Sequence, residues 1–160
     1  KKLKNNFIFK KTIITDKDRE IFKELDFFLN NYNDEQKKAI ISSNQKILED
    51  YKEVAKKFQG KQLDLLAANL QAQKDNDLET SQSLRKQAEK QRLKKYIYTI
   101  NFALNHADTE AAAYITLTEL VNANIKYLDS INNSLSKKVK QSYYGEKLAE
   151  FIKNIKETEK

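Results

Sequence analysis

Apolar side chains return at three- and four-residue steps along most of this chain, the period of one face of an α-helix. Ile21, Phe22, Leu25, Phe28, Leu29 and Tyr32 make the first such stripe. Thr15 stands as its N-cap, with Asp16 and Asp18 in the first turn, where carboxylates favour the helix dipole. Asn30, Asn31 and Asn33 end it, and a second helix is expected from Asp34. There Ile40, Ile47, Tyr51, Val54 and Phe58 form a seam suited to antiparallel packing. Gly60 reads as a C-cap or a break, after which Leu63, Leu66 and Leu70 resume a helical pattern.

Lys74-Asp75-Asn76-Asp77 reads as a turn, and a third helix is expected from about Leu78 to Asn105. Its middle, Gln82 to Lys95, is strongly polar, with Leu84, Ala88 and Leu93 as the apolar positions. A helix this polar sits against a single neighbour. From Leu93 the stripe strengthens through Ile97, Ile100 and Leu104. The second and third helices are therefore expected to form a long antiparallel hairpin over about 34–105. Asp108 is expected to cap a fourth helix from Thr109 to about Ala123, carrying Ala113, Leu117, Leu120 and Val121. Ile125, Leu128, Ile131 and Leu135 mark a shorter fifth, and Ser142 caps a last helix that buries Leu148, Phe151, Ile152 and Ile155. These C-terminal helices occupy about 109–160, and no repeat of fixed period stands out.

Residues 1–15 break the pattern. Lys1, Lys2, Lys4, Lys10 and Lys11 flank Phe7-Ile8-Phe9 with no acid among them. The β-prone run from Phe7 to Thr15 reads as a loosely ordered terminus or the stub of a strand. The expected organisation is a basic lead-in over 1–15 and a helical domain over 16–160. The fold class is all-α, a bundle of about five to six helices.

Composition sharpens this. The chain has no Pro and only Gly60 and Gly145 for glycine, too little turn chemistry for a sandwich or barrel. Charged residues make up 33%, so the core is confined to narrow stripes. No apolar run approaches the roughly 18 residues needed to span a bilayer. Without Cys there is no disulfide, thiol chemistry or thiolate metal site. Met is missing even at position 1, from which a fragment or a processed product is expected. The net charge is +7, but only Arg19, Arg85 and Arg92 of the 30 basic residues are arginine. Nucleic-acid readers depend on arginine for bidentate base contacts, so no nucleic-acid partner is expected.

Residues suited to catalysis are scarce. His106 is the only histidine, which rules out a multi-histidine metal site and suits a capping or surface role. Glu49, Asp50, Glu53 and Asp64 fall on polar helix faces. The chain has no glycine-rich phosphate loop, and Asp75-Asn76-Asp77 lacks the glycine and glutamate of a calcium loop. No catalytic, metal-ligating or cofactor-binding residue is assigned, no cofactor is expected, and no binding residue is singled out. The basic run Arg85, Lys86, Lys90, Arg92, Lys94 and Lys95 faces Glu89 alone. It reads as a solvated face; as a contact surface it would meet anionic lipid or an acidic partner. Tyr96, Tyr98, Tyr114, Tyr127, Tyr143 and Tyr144 read as core-edge residues with wet hydroxyls, a groove for a ligand or protein being the alternative.

The last third carries a more specific pattern. Tyr127-Leu128-Asp129-Ser130-Ile131-Asn132-Asn133-Ser134-Leu135 is followed by Val139-Lys140-Gln141-Ser142-Tyr143-Tyr144-Gly145-Glu146-Lys147-Leu148. This resembles the end of the N-terminal accessory domain of TlpA/ResA-like envelope thiol–disulfide oxidoreductases of Gram-negative bacteria. In that family a tyrosine–leucine helix end leads to lysine-x-serine-x-tyrosine-glycine-x-x-leucine, matched here by Lys140, Ser142, Tyr144, Gly145 and Leu148. The family's accessory domain opens with a small β-sandwich, of which Phe7 to Thr15 would be the only remainder. The redox Cys-x-x-Cys would lie beyond Lys160, so no redox role carries over to any residue here. The resemblance implies a periplasmic or membrane-anchored helical region that positions or shields a thioredoxin-like domain. Its partner would be that downstream domain or another protein, with the membrane nearby but no transmembrane segment. The alternative is a helical surface lipoprotein that binds a host or envelope partner. Read physically, Gly145 permits close packing, so Gly145→Leu is expected to destabilise by about 1 to 3 kcal/mol.

Overall fold

The computed structural model describes residues 23, 27, 30 and 33–158. The lead-in over 1–15, the Thr15 cap and the Ile21-to-Tyr32 stripe lie outside the described residues, apart from Lys23, Phe27 and Asn30, which are helical. The chain divides into two compact units, residues 1–37 and 38–160.

In the first unit, Asn33 and Gln36 form a reciprocal cap. The Gln36 amide donates to Asn33 Oδ1 (2.9 Å) and the Asn33 amide to Gln36 Oε1 (3.1 Å). Two of the amides that a helix start leaves without partners are thereby satisfied. This cap opens α1, Asp34–Lys74.

The second unit holds the rest of α1 and five further helices among the described residues, with no strand among them. They are α2 (Leu78–Asn105), α3 (Glu110–Glu119), α4 (Ile125–Ser134), α5 (Lys137–Lys140) and α6 (Tyr143–Thr158). The protein is an all-α helical bundle. At 1.5 Å per residue the 41 residues of α1 measure about 60 Å. The helix runs straight through Gly60, which has no neighbouring atom within 4 Å of where a Cβ would stand. The expected break at Gly60 is therefore corrected. Flanked on both sides by good helix formers, one glycine costs only about 1 kcal/mol, too little to stop a helix.

The turn after α1 is a Schellman closure. Asp77 N–H donates to Ala72 O (2.9 Å) and Asn76 N–H to Gln73 O (3.2 Å). Asn76 sits at φ 56°, a left-handed conformation that asparagine tolerates better than most residues. Asp77 then caps α2 by accepting from Thr80 N–H at 3.0 Å. That backbone bond holds its carboxyl below the usual carboxylate range.

The two long helices form the antiparallel hairpin. Tyr51 OH meets Thr99 Oγ1 at 3.0 Å, and Ser81 Oγ donates to Asn69 Oδ1 at 2.7 Å. Stepping up α1 from Tyr51 to Asn69 steps down α2 from Thr99 to Ser81 by the same number of residues. One antiparallel register therefore holds along the whole arm. Near its base Tyr51, Tyr98 and Phe102 stack within 6.0 Å of one another.

The core lies at that base. Ile100 and Ala103 from α2 meet Ala112 and Ala113, then Leu128, Ile131, Leu135, Val139, Leu148 and Ile152. Helix α3 runs through its middle, buried along its first two turns through Ala111, Ala112, Ala113, Ile115 and Thr116. Its alanines let α2 and α6 approach closely. The expected cap Asp108 is corrected to Thr109. The Thr109 hydroxyl turns back to His106 O (2.8 Å) instead of capping. The cap comes from far along the chain: Asn44 Oδ1 on α1 accepts from Ala111 N–H at 3.1 Å. The expected helix to Ala123 stops at Glu119, because Leu120 turns into the core and Asn124 caps α4 by accepting from Lys126 N–H.

Candidate interaction surface

His106 is the C-cap of α2. Its N–H donates to Phe102 O (3.2 Å) and its ring lies 4.4 Å from that of Phe102. Among the described residues no three His, Asp or Glu side chains converge as a metal site would require. Among them, too, no helix is long and apolar enough to cross a membrane.

The residues of the lysine-x-serine-x-tyrosine-glycine-x-x-leucine pattern fasten α6 to the bundle. Lys140 Nζ donates to Asn133 O (2.9 Å), closing the end of α4. Ser142 is fully buried; its hydroxyl donates to Val139 O (2.7 Å) and accepts from Gly145 N–H (3.3 Å). A Cβ on Gly145 would overlap Val139 O at 1.8 Å. Tyr144 packs edge-on against Tyr114, with ring centres 5.1 Å apart, and Leu148 is fully buried. This cluster is occupied by its own packing.

The hairpin arm is different. Its inner seam beyond the aromatic base pairs Gln62, Leu65, Asn69 and Ala72 of α1 with Ser81, Leu84, Ala88 and Gln91 of α2. Only Leu65, Ala72 and Ser81 of these are buried; the others are half-buried. Leu63, Leu66 and Leu70 continue the helical pattern, as expected, but stand outside the seam at 58%, 52% and 50% exposure. The reason is geometric. Steps of three and four produce two stripes on α1, and the inner one alternates Gln62 and Asn69 with the buried Leu65 and Ala72. The outer one reads Lys52, Lys56, Gln59, Leu63, Leu66 and Leu70, with steps of 4, 3, 4, 3 and 4. That spacing keeps all six on one helix face.

The basic end of this outer stripe forms one wall of a groove of about 860 Å³. Lys52, Lys56 and Leu63 line it from α1, Arg92 and Lys95 from α2, and Glu119 from the end of α3, with Tyr51 and Phe58 between them. Four cations line the groove beside one carboxylate; Lys95 pairs with Glu119 at 2.9 Å and Arg92 with the exposed Glu89 at 3.6 Å. Of the basic run expected to be a solvated face, Arg92 and Lys95 reach the groove. Arg85, Lys86, Lys90 and Lys94 stand exposed. The other two cations come from α1, where no basic cluster marks them in the sequence.

Tyr51 anchors the groove's inner edge. Thr99 Oγ1 spends its proton on Lys95 O (2.9 Å), so Tyr51 OH is the donor in their bond. Burial, with the nearby Glu119 carboxylate adding to it, pushes the Tyr51 phenol up to about 12. Burial and the Asp50 carboxylate push Tyr98 up as well. Among the described residues the other tyrosines pair at helix edges, Tyr96 with Tyr127 and Tyr144 with both Tyr114 and Tyr143.

No family model matches this chain, and no curated protein or solved structure matches it either.

Proposed function

We propose that this chain is a non-catalytic helical accessory module of a bacterial envelope protein, one that positions or shields a thioredoxin-like redox domain. The observation that carries this reading is the spacing of Lys140, Ser142, Tyr144, Gly145 and Leu148, which follows the accessory-domain pattern. The chain's chemistry supports it: with no Cys it has no thiol for redox chemistry, and its single His caps a helix beside Phe102. Its architecture suits the role too, since a packed base with a long projecting arm is a spacer and a presenting surface. On this reading the module works in the periplasm or anchored at the envelope.

The parent reading frame tests it. The expected result is a thioredoxin-like sequence with Cys-x-x-Cys just downstream of Lys160. A stop codon there, together with an upstream lipobox cysteine, would overturn the proposal in favour of a surface lipoprotein. Turnover of any substrate by the isolated chain would refute the non-catalytic role.

A further inference from the structure

The outer stripe of α1 combines two features that a solvated helix has no use for in combination. Its distal half sets three leucines at one face, each about half exposed, while Asn69 is turned inward to Ser81. Water contact with such an apolar stripe is unfavourable, so a covering partner is stabilised there. Its proximal half faces a concave, aromatic-lined groove with Lys52, Lys56, Arg92 and Lys95 around it.

We propose that this stripe and groove dock one amphipathic helix of a partner protein. That helix bears apolar side chains at three- and four-residue steps and a carboxylate cluster at one end. The heptad steps from Lys52 to Leu70 match the spacing at which one helix packs along another. From Lys52 to Leu70 the stripe measures about 27 Å, five turns of a guest helix. Polarity follows from the charges: the carboxylates lie beside Lys52, Lys56 and Arg92, and the apolar side chains lie toward the hairpin tip over Leu63, Leu66 and Leu70. A second copy of this chain does not fit. Parallel pairing of two such stripes sets lysine against lysine, antiparallel pairing sets lysine against leucine, and the chain is +7 overall. A flat lipid surface leaves the concave groove unfilled. The inference goes beyond the accessory role and stands whatever domain adjoins this module.

The test uses the full 160-residue chain and two synthetic helical probes. Both carry leucine at heptad spacing; one has a glutamate cluster at one end and the other a lysine cluster in its place. Fluorescence anisotropy is expected to show saturable binding of the glutamate probe only. Leu66→Glu, at a half-exposed position that leaves the circular-dichroism melt unchanged, is expected to weaken it about tenfold or more. Lys56→Glu with Arg92→Glu is expected to lose the glutamate probe and gain the lysine probe. Equal binding of both probes, no binding, or indifference to Leu66→Glu would overturn the proposal. So would a Leu66-dependent dimer in sedimentation, or Leu66-dependent capture by anionic phospholipid vesicles.

Discussion

One methyl group is enough to disturb the last helix. With Val139 O only 1.8 Å from the position of a Cβ, Gly145→Ala forces backbone against backbone. No side-chain rotation relieves that clash. We expect a loss of about 3 kcal/mol, the upper end for overpacking, read from the urea midpoint. Gly145→Leu is expected to lose no less. A second residue-scale prediction concerns Tyr51. Its phenol ionises near 10 when unfolded and near 12 when folded, so the folded state binds more protons between those values. The stability this group contributes is present below pH 10 and falls away as pH rises through about 12. Urea midpoints measured across pH 9 to 12 should fall more steeply for the wild type than for Tyr51→Phe. At neutral pH that variant is expected to be less stable by about 1 kcal/mol, since Thr99 loses its donor.

At the scale of elements, the two glycines behave oppositely. Gly60 lies mid-helix in open space, so Gly60→Ala is expected to stabilise by about 0.5 to 1 kcal/mol, seen as a raised melting temperature. Asn44→Ala should cost about 1 kcal/mol by uncapping α3. Rescue by Asn44→Asp, whose carboxylate also accepts from Ala111 N–H, would distinguish a capping role from simple packing. The contrast between α2 and α3 shows what was legible beforehand. The ends of α2 follow from local chemistry: Asn76 for the left-handed turn, Asp77 for the cap, and the apolar period up to Leu104. The start of α3 depends on Asn44, on another helix, which no local pattern reveals. Helix α5 is a single turn, too short for any period to register. On α1 the helical period was plain, but period alone does not tell which of two stripes faces inward. The groove, built from cations on separate helices, is invisible in the sequence until the hairpin register brings Lys52 and Lys56 toward Arg92 and Lys95.

At the scale of the whole molecule, apolar burial is uneven within residues 38–160. Nearly all fully buried large side chains sit at the base, including Ile115, Leu128, Ile131 and Leu148. The arm beyond Phe58 buries only Leu65, Ala72 and Ser81. Native-state hydrogen exchange is therefore expected to proceed in two tiers, with amides over 62–90 exchanging through local opening and those over 111–116 and 128–152 only through global unfolding. Uniform protection along α1 would contradict this.

The amide- and hydroxyl-lined seam of the arm has a calorimetric consequence. Exposing apolar surface raises the heat capacity on melting, and exposing polar surface lowers it. Opening the stretch that joins Asn69 to Ser81 therefore adds almost nothing to that increment. The protein should show a heat-capacity step smaller than a chain of its length ordinarily gives, and capping the leucines with a bound helix should bring it back up.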